Sequence, residues 1–167
     1  MHPAVLPVEE LLKACRMTFG KKGGPGGQHR NKVATAVEIK HLPTGVCASA
    51  GERRSQAENR AMATRRLRME LALTQRGYFS LREVPTELWQ SRCSKSGRLS
   101  ISPHHADYPA MLAEAMDVLD ALHHDLPRAA GLLGCTASQL LKLLKDEPAA
   151  WVWLNQKREA AHQHPLR

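Results

Sequence analysis

The sequence predicts an α+β protein: a small α/β domain, with a short sheet packed on one long helix, followed by a small α-helical module. Three observations carry this. Val37 and Ile39 alternate with Glu38 and Lys40, the period of a half-buried strand. Ala63, Leu67 and Leu71 recur every four residues, as on the buried face of a helix. From Pro109 the helical period returns in Met111, Leu112, Ala115, Met116, Leu119 and Leu122.

Each element follows in order. Cys15 to Phe19 reads as a short strand, ended by Gly20-Lys21-Lys22-Gly23-Gly24-Pro25-Gly26-Gly27. Five glycines and a proline in eight residues continue neither helix nor strand. After the strand around Val37 and Ile39, Pro43-Thr44-Gly45 makes a three-residue hairpin turn, and Val46, Ala48 and Ala50 mark the partner strand. Ser55 is an N-cap with Glu58 completing a capping box, so a helix runs from there to about Arg76, with Gly77 as its stop. Met62, Met69 and Leu73 form its second apolar stripe, and Arg65, Arg68 and Arg76 lie on a face away from both. Residues 77–102 read as an irregular basic linker, interrupted by Pro85 and containing Ser94-Lys95-Ser96-Gly97-Arg98. Pro127 starts a further helix, Gly134 closes it, Thr136 caps the next, and Pro148 opens the last. The expected boundaries are 1–76, 77–102 and 103–167.

Of the 167 residues, 43% are hydrophobic and 24% charged, which supports a globular core and argues against a wholly disordered chain. Formal net charge is +8 and the pI about 9.7, favouring an anionic partner, nucleic acid first. The excess is uneven. Residues 1–75 hold thirteen Lys or Arg against six Glu, whereas residues 103–167 hold six basic against eight acidic residues. Arg65 and Arg68, with Lys21, Lys22, Arg30 and Lys32, are the candidate nucleic-acid contacts. No run approaches the roughly eighteen apolar residues of a membrane-spanning helix. Met1 to Leu12 lacks a basic start and carries Glu9 and Glu10, so no targeting peptide and no membrane partner is expected, and the location is read as cytoplasmic. Cys15, Cys47, Cys93 and Cys135 form no C-x-x-C pair, which disfavours a zinc site or a disulfide framework. No metal and no cofactor is expected.

The most specific stretch is Gly23-Gly24-Pro25-Gly26-Gly27-Gln28-His29-Arg30-Asn31-Lys32. A nucleotide P-loop fails for want of Gly-Lys-[Ser/Thr], and the dinucleotide pattern fails because His29 stands where a third glycine is required. Gly26-Gly27-Gln28 with Asn31-Lys32 resembles the GGQ loop of class I peptide chain release factors and their ribosome-rescue relatives. The resemblance continues through Ala36-Val37-Glu38-Ile39-Lys40-His41-Leu42-Pro43-Thr44-Gly45, then Glu52-Arg53-Arg54-Ser55-Gln56 and Asn59, covering residues 15–75. Arg30 departs from the small apolar residue frequent in the family, and a cation there suits ribosomal RNA phosphate.

The resemblance implies a GGQ-type domain that hydrolyses the ester joining a nascent peptide to the 3′ adenosine of tRNA, in the ribosomal peptidyl transferase centre. The implied partners are ribosomal RNA and peptidyl-tRNA, with a glutamine methyltransferase acting on Gln28 as a further candidate. The implied catalytic residues are Gly26, Gly27 and Gln28, and they suit the chemistry. Two glycines let the main chain approach RNA closely. The backbone N–H of Gln28 can donate to charge developing on oxygen, and its side-chain amide can place water. Neither is an acid or base, so RNA and the terminal ribose must move the protons. His29 reads as a packing or phosphate contact. The chain has no room for the codon-recognition domain of a full release factor, and Asn155 to Arg167 lacks the long basic tail of small rescue factors. The first point gives the expectation of a codon-independent, rescue-type activity; the second departs from the rescue factors and leaves the way the ribosome is sensed open.

Ala130, Gly134 and Leu140 have helix-turn-helix spacing, which exposes Ser138, Gln139 and Lys142 on the second helix. A structural pair is the ordinary reading, and the acidic excess of 103–167 counts against DNA. His104, His105 and Asp107 lack a fourth ligand, and read as capping or packing residues. The rival for the whole chain is a non-catalytic RNA- or DNA-binding protein that uses the basic half and this helical pair.

Overall fold

Strand pairing follows the alternation in the sequence. In a computed structural model, which describes residues 2–20, 35–77 and 82–166, three antiparallel strands lie in the order β1 (Cys15–Gly20), β2 (Ala36–His41), β3 (Cys47–Ala50). Met17 faces Ile39 and Phe19 faces Val37; across the other side of β2, Ile39 faces Ala48 and Val37 faces Ala50. The predicted turn forms, with the Gly45 N–H donating to the His41 carbonyl at 2.8 Å. Burial lowers the pKa of His41, whose Nδ1 lies 2.8 Å from Thr44 Oγ1. A short helix α1 (Val8–Lys13) precedes the sheet.

Helix α2 (Gln56–Thr74) lies across β2 and β3. Its Ala63, Leu67 and Leu71 are fully buried, as are Val37 and Ile39 beneath them, so the two apolar periods meet in one core. Ser55 Oγ accepts from the Glu58 N–H, the expected cap. The helix stops two residues earlier than the sequence suggests. Gln75 turns extended, and Arg76 and Gly77 are bonded elsewhere, so Arg76 is not part of the basic helix face.

The chain divides into two compact units, Leu6–Gln75 and Met1–Val5 with Arg76–Arg167. In the second, a 3-10 turn (Pro3–Val5) packs on α4 (Tyr108–Ala121), which is accompanied by α3 (Glu87–Arg92), α5 (Leu126–Leu132), α6 (Ala137–Lys145) and α7 (Pro148–Ala160). Trp89, Tyr108, Met111, Leu112, Met116 and Leu140 are fully buried. The Tyr108 hydroxyl donates to the Leu143 carbonyl at 2.7 Å.

Helix α3 lies inside the stretch read from sequence as an irregular linker. Six residues are too few to show a period; the helix forms because Thr86 caps it through the Trp89 N–H and Trp89 is buried. Thr86 is in turn held by buried Glu114, which accepts its N–H at 2.8 Å and its hydroxyl at 2.6 Å. Burial raises the pKa of Glu114 in spite of these bonds.

The α5–α6 pair follows the helix-turn-helix spacing, with Gly134 at φ +66° in the turn and the Cys135 N–H returning to the Ala130 carbonyl. Ser138 and Lys142 are exposed as expected, but Gln139 is half-buried, its Oε1 accepting from the Leu99 N–H at 3.2 Å. Asp107 accepts from Arg92 at 2.7 Å, and the Asp107 N–H donates to His105 Nδ1 at 3.1 Å, so these two residues are paired, while the Asp107 side chain gives α4 no cap bond. Among the described residues no cluster is suited to a metal ion, and no helix is long and apolar enough to cross a membrane.

Candidate active site

The glycine-rich segment joins two neighbouring strands. Gly20 at the end of β1 stands opposite Ala36 at the start of β2, so the intervening residues leave and re-enter the sheet side by side. Gly26, Gly27, Gln28, Lys21, Lys22, Arg30 and Lys32 lie outside the described residues. What surrounds the two ends of their segment is described.

Asn59, fully buried in the first turn of α2, holds the exit. Its Nδ2 donates to the Thr35 carbonyl at 2.7 Å and to the Arg53 carbonyl at 2.9 Å, while its Oδ1 accepts from the Arg53 N–H at 3.0 Å. Both amide hydrogens and the amide oxygen are used, as burial requires. One side chain thereby ties the residue after the segment to the turn that opens α2. Asn59 stands one helical step before the Ala63-Leu67-Leu71 stripe, so a polar residue on the buried face was the signal available in the sequence.

A groove of about 330 Å³ opens at this end of the sheet, lined among others by Phe19, Gly20, Val37, Ala50, Glu52 and Arg66. Phe19 is 53% exposed, a large apolar side chain at the start of the segment. Arg66 Nη1 donates to the Ser49 carbonyl at 2.7 Å and to Glu52 Oε1 at 2.9 Å. The Gly51 N–H and the Arg66 guanidinium hold the Glu52 carboxyl down at about 2, so it is ionised at neutral pH and cannot act as a proton donor there. Arg65 is exposed and Arg68 half-buried on α2; Arg53 and Arg54, exposed beside the Asn59 bonds, lie closer in the chain to the segment's exit. Arg66 and Phe19 were not singled out from sequence, because their roles depend on which strand ends meet.

A family model described as RF-1 domain matches residues 8–98, more than half of the chain. The chain belongs to the RF-1 domain family. The RF-1 match runs from α1 past α3, and so takes in both ends of the glycine-rich segment. Peptide chain release factor PrfB1, chloroplastic, of Arabidopsis thaliana is 46% identical over 66 residues, 40% of this chain and 14% of that protein. Peptide chain release factor 1 of Acidiphilium cryptum is 48% identical over 74 residues, and that of Ureaplasma parvum serovar 3 is 49% identical over 74 residues. Each of these two matches covers 41% of this chain and 21% of the relative. The chain thus spans about a fifth or less of the length of the curated relatives it matches. The three strands, α2 and Asn59 of the matched region form a frame at the two ends of the glycine-rich segment.

Proposed function

We propose that this chain catalyses ribosome-dependent, codon-independent hydrolysis of the peptidyl-tRNA ester, with Gly26, Gly27 and Gln28 at the reacting centre. The observation that carries the reading is the Gly-Gly-Gln tripeptide in the connection between β1 and β2 of an RF-1 domain. Water attacks the ester carbonyl, negative charge develops on oxygen, and the bond to the tRNA 3′ oxygen breaks, releasing a peptide acid and a free ribose hydroxyl. The Gln28 N–H donates to the developing charge, and its side-chain amide places the water. The partners in this reading are ribosomal RNA and peptidyl-tRNA, in the cytoplasm, with a methyltransferase as a candidate modifier of Gln28. Lys21, Lys22, Arg30, Lys32, Arg65 and Arg68 contact RNA phosphate. Codon independence is the finer part of this proposal, and it stands or falls with the response to the codon in the A site.

The test is peptide release from purified ribosomes carrying labelled peptidyl-tRNA, with a stop codon, a sense codon or no codon in the A site. Release is expected in all three. Strict dependence on the stop codon contradicts the rescue reading, and binding without release favours the non-catalytic rival.

A further inference from the structure

Residues 76–167 hold eleven Lys or Arg and ten Asp or Glu, a balance that predicts almost no field. The fold separates the two signs. Asp117 accepts from Arg76 and the Gly77 N–H, Glu114 from Thr86, and Asp107 from Arg92. Asp125 and Glu147 cap helices. Five carboxylates are thus turned toward the protein's own donors. Lys95, Arg98 and Lys142 are exposed and make no ion pair among the described residues.

These cations belong to one small surface. The turn 94–98 and its flanking residues are stitched to α6 and the turn before it: the Thr136 N–H donates to the Gly97 carbonyl at 3.0 Å, the Leu99 N–H to Gln139 Oε1 at 3.2 Å, and Cys93 Sγ to the Gly134 carbonyl at 3.3 Å. Gly97 sits at φ +75°, and a Cβ there would stand 3.0 Å from the Thr136 nitrogen, so backbone lies directly on backbone. Lys95 and Arg98 therefore flank the first turn of α6. Ser138 and Lys142, four residues apart, continue along its exposed face, opposite buried Leu140, Leu143 and Leu144. Three scattered surface cations are ordinarily just solvated. Ser94 Oγ accepts from the Arg98 N–H and is paired with Ser96 Oγ at 2.9 Å, which fixes the turn; cations held together by this bonded backbone, beside the exposed hydroxyl of Ser138, are a set suited to phosphate oxygens.

We infer that the 94–98 turn and the Ser138–Lys142 face of α6 form a second, auxiliary surface that binds the phosphate backbone of ribosomal RNA. The choice of RNA rests on the proposed ribosomal function of the first unit. The surface reads phosphate and not sequence, and its affinity falls with salt.

The experiment measures binding of the labelled full-length chain to purified ribosomes and to a short RNA duplex and its DNA counterpart, between about 50 and 200 mM salt. Lys95→Ala with Lys142→Ala is expected to weaken binding to ribosomes and to the RNA duplex, and to reduce the steepness of the log–log salt plot by about 1.5. Lys95→Arg with Lys142→Arg should restore both. Lys13→Ala with Lys157→Ala, which removes equal charge elsewhere, should change the slope little. Circular dichroism melting checks that all variants fold. Equal slopes for the two Ala pairs overturn the inference. So does a loss on ribosomes with duplex RNA binding intact, which marks a protein contact, or tighter binding of the DNA duplex. Wild-type peptide release, measured in parallel, keeps the two proposals apart: duplex binding through this surface without any release contradicts the hydrolase reading alone.

Discussion

The two units treat polar groups in opposite ways. In Leu6–Gln75 the buried polar residues are His41, Thr64 and Asn59, none of them a carboxylate; the amide of Asn59, fully buried, ties backbone to backbone at the exit of the glycine-rich segment, and Arg60, Arg65 and Arg66 of α2 are exposed. In Met1–Val5 with Arg76–Arg167 the buried polar residues are His2 and two carboxylates, Glu114 and Asp117, and the carboxylates draw Thr86, Arg76 and Gly77 inward. A summed charge describes the surface of the first unit well and that of the second badly. The acidic excess of 103–167 is real, yet much of it is spent on internal donors.

The largest effect that can break this contrast is at Asn59. Asn59→Ala leaves the Thr35 carbonyl and both Arg53 backbone groups without their partner, and should cost about 2–3 kcal/mol in urea unfolding. If Asn59 also positions the segment, Asn59→Ala lowers peptide release at saturating protein while salt-dependent ribosome binding is retained. A stability near wild type contradicts the reading of those three bonds.

Asp117 sharpens the other side. Burial pushes its carboxyl up from 3.8 to about 6, against the pull of Arg76 and the Gly77 N–H. The folded state then binds more protons than the unfolded one between about pH 4 and pH 6. The contribution of this group to stability accordingly falls as pH rises through that window, and is flat above it. Relative to Asp117→Asn, which cannot titrate, the wild type should gain roughly 1–3 kcal/mol on going from pH 7 to pH 4, read as a melting-temperature difference. A gap independent of pH means that Asp117 has the same pKa in the folded and the unfolded chain, and contradicts the shift.

The smallest effect concerns Arg65 and Arg68 of α2. Arg65→Ala with Arg68→Ala should flatten the salt dependence of ribosome binding by about 1–2 in log–log slope. An unchanged slope shows that another face of the first unit meets RNA.

Much of the fold was legible because its signals are local. The turn at Pro43-Thr44-Gly45, the caps at Ser55 and Thr136 and the alternation at Val37 and Ile39 each specify structure within a few residues. Helix α3 was not legible, since its six residues depend on Glu114, twenty-eight positions beyond Thr86. The end of α2 was misjudged for the same reason, because Arg76 and Gly77 answer to Asp117. At the candidate site the tripeptide was plain as a motif. The roles of Asn59 and Arg66 were not, because they rest on contacts to Thr35, Arg53, Ser49 and Glu52 that only the folded chain brings within reach.

The most direct measurement compares Gly27→Ala with Gln28→Ala in single-turnover peptide release at saturating protein, with ribosome binding checked separately. Under the proposed mechanism Gly27→Ala puts a Cβ where the main chain approaches RNA, whereas Gln28→Ala keeps the backbone N–H and removes the side-chain amide. Losing a well-placed main-chain donor costs on the order of 10²- to 10³-fold in rate, so Gly27→Ala should be the worse lesion. Gln28→Ala should retain measurable release and admit nucleophiles other than water more readily, and both variants should still bind. A Gly27→Ala rate equal to wild type, or wild-type release no faster than spontaneous hydrolysis, contradicts the catalytic assignment.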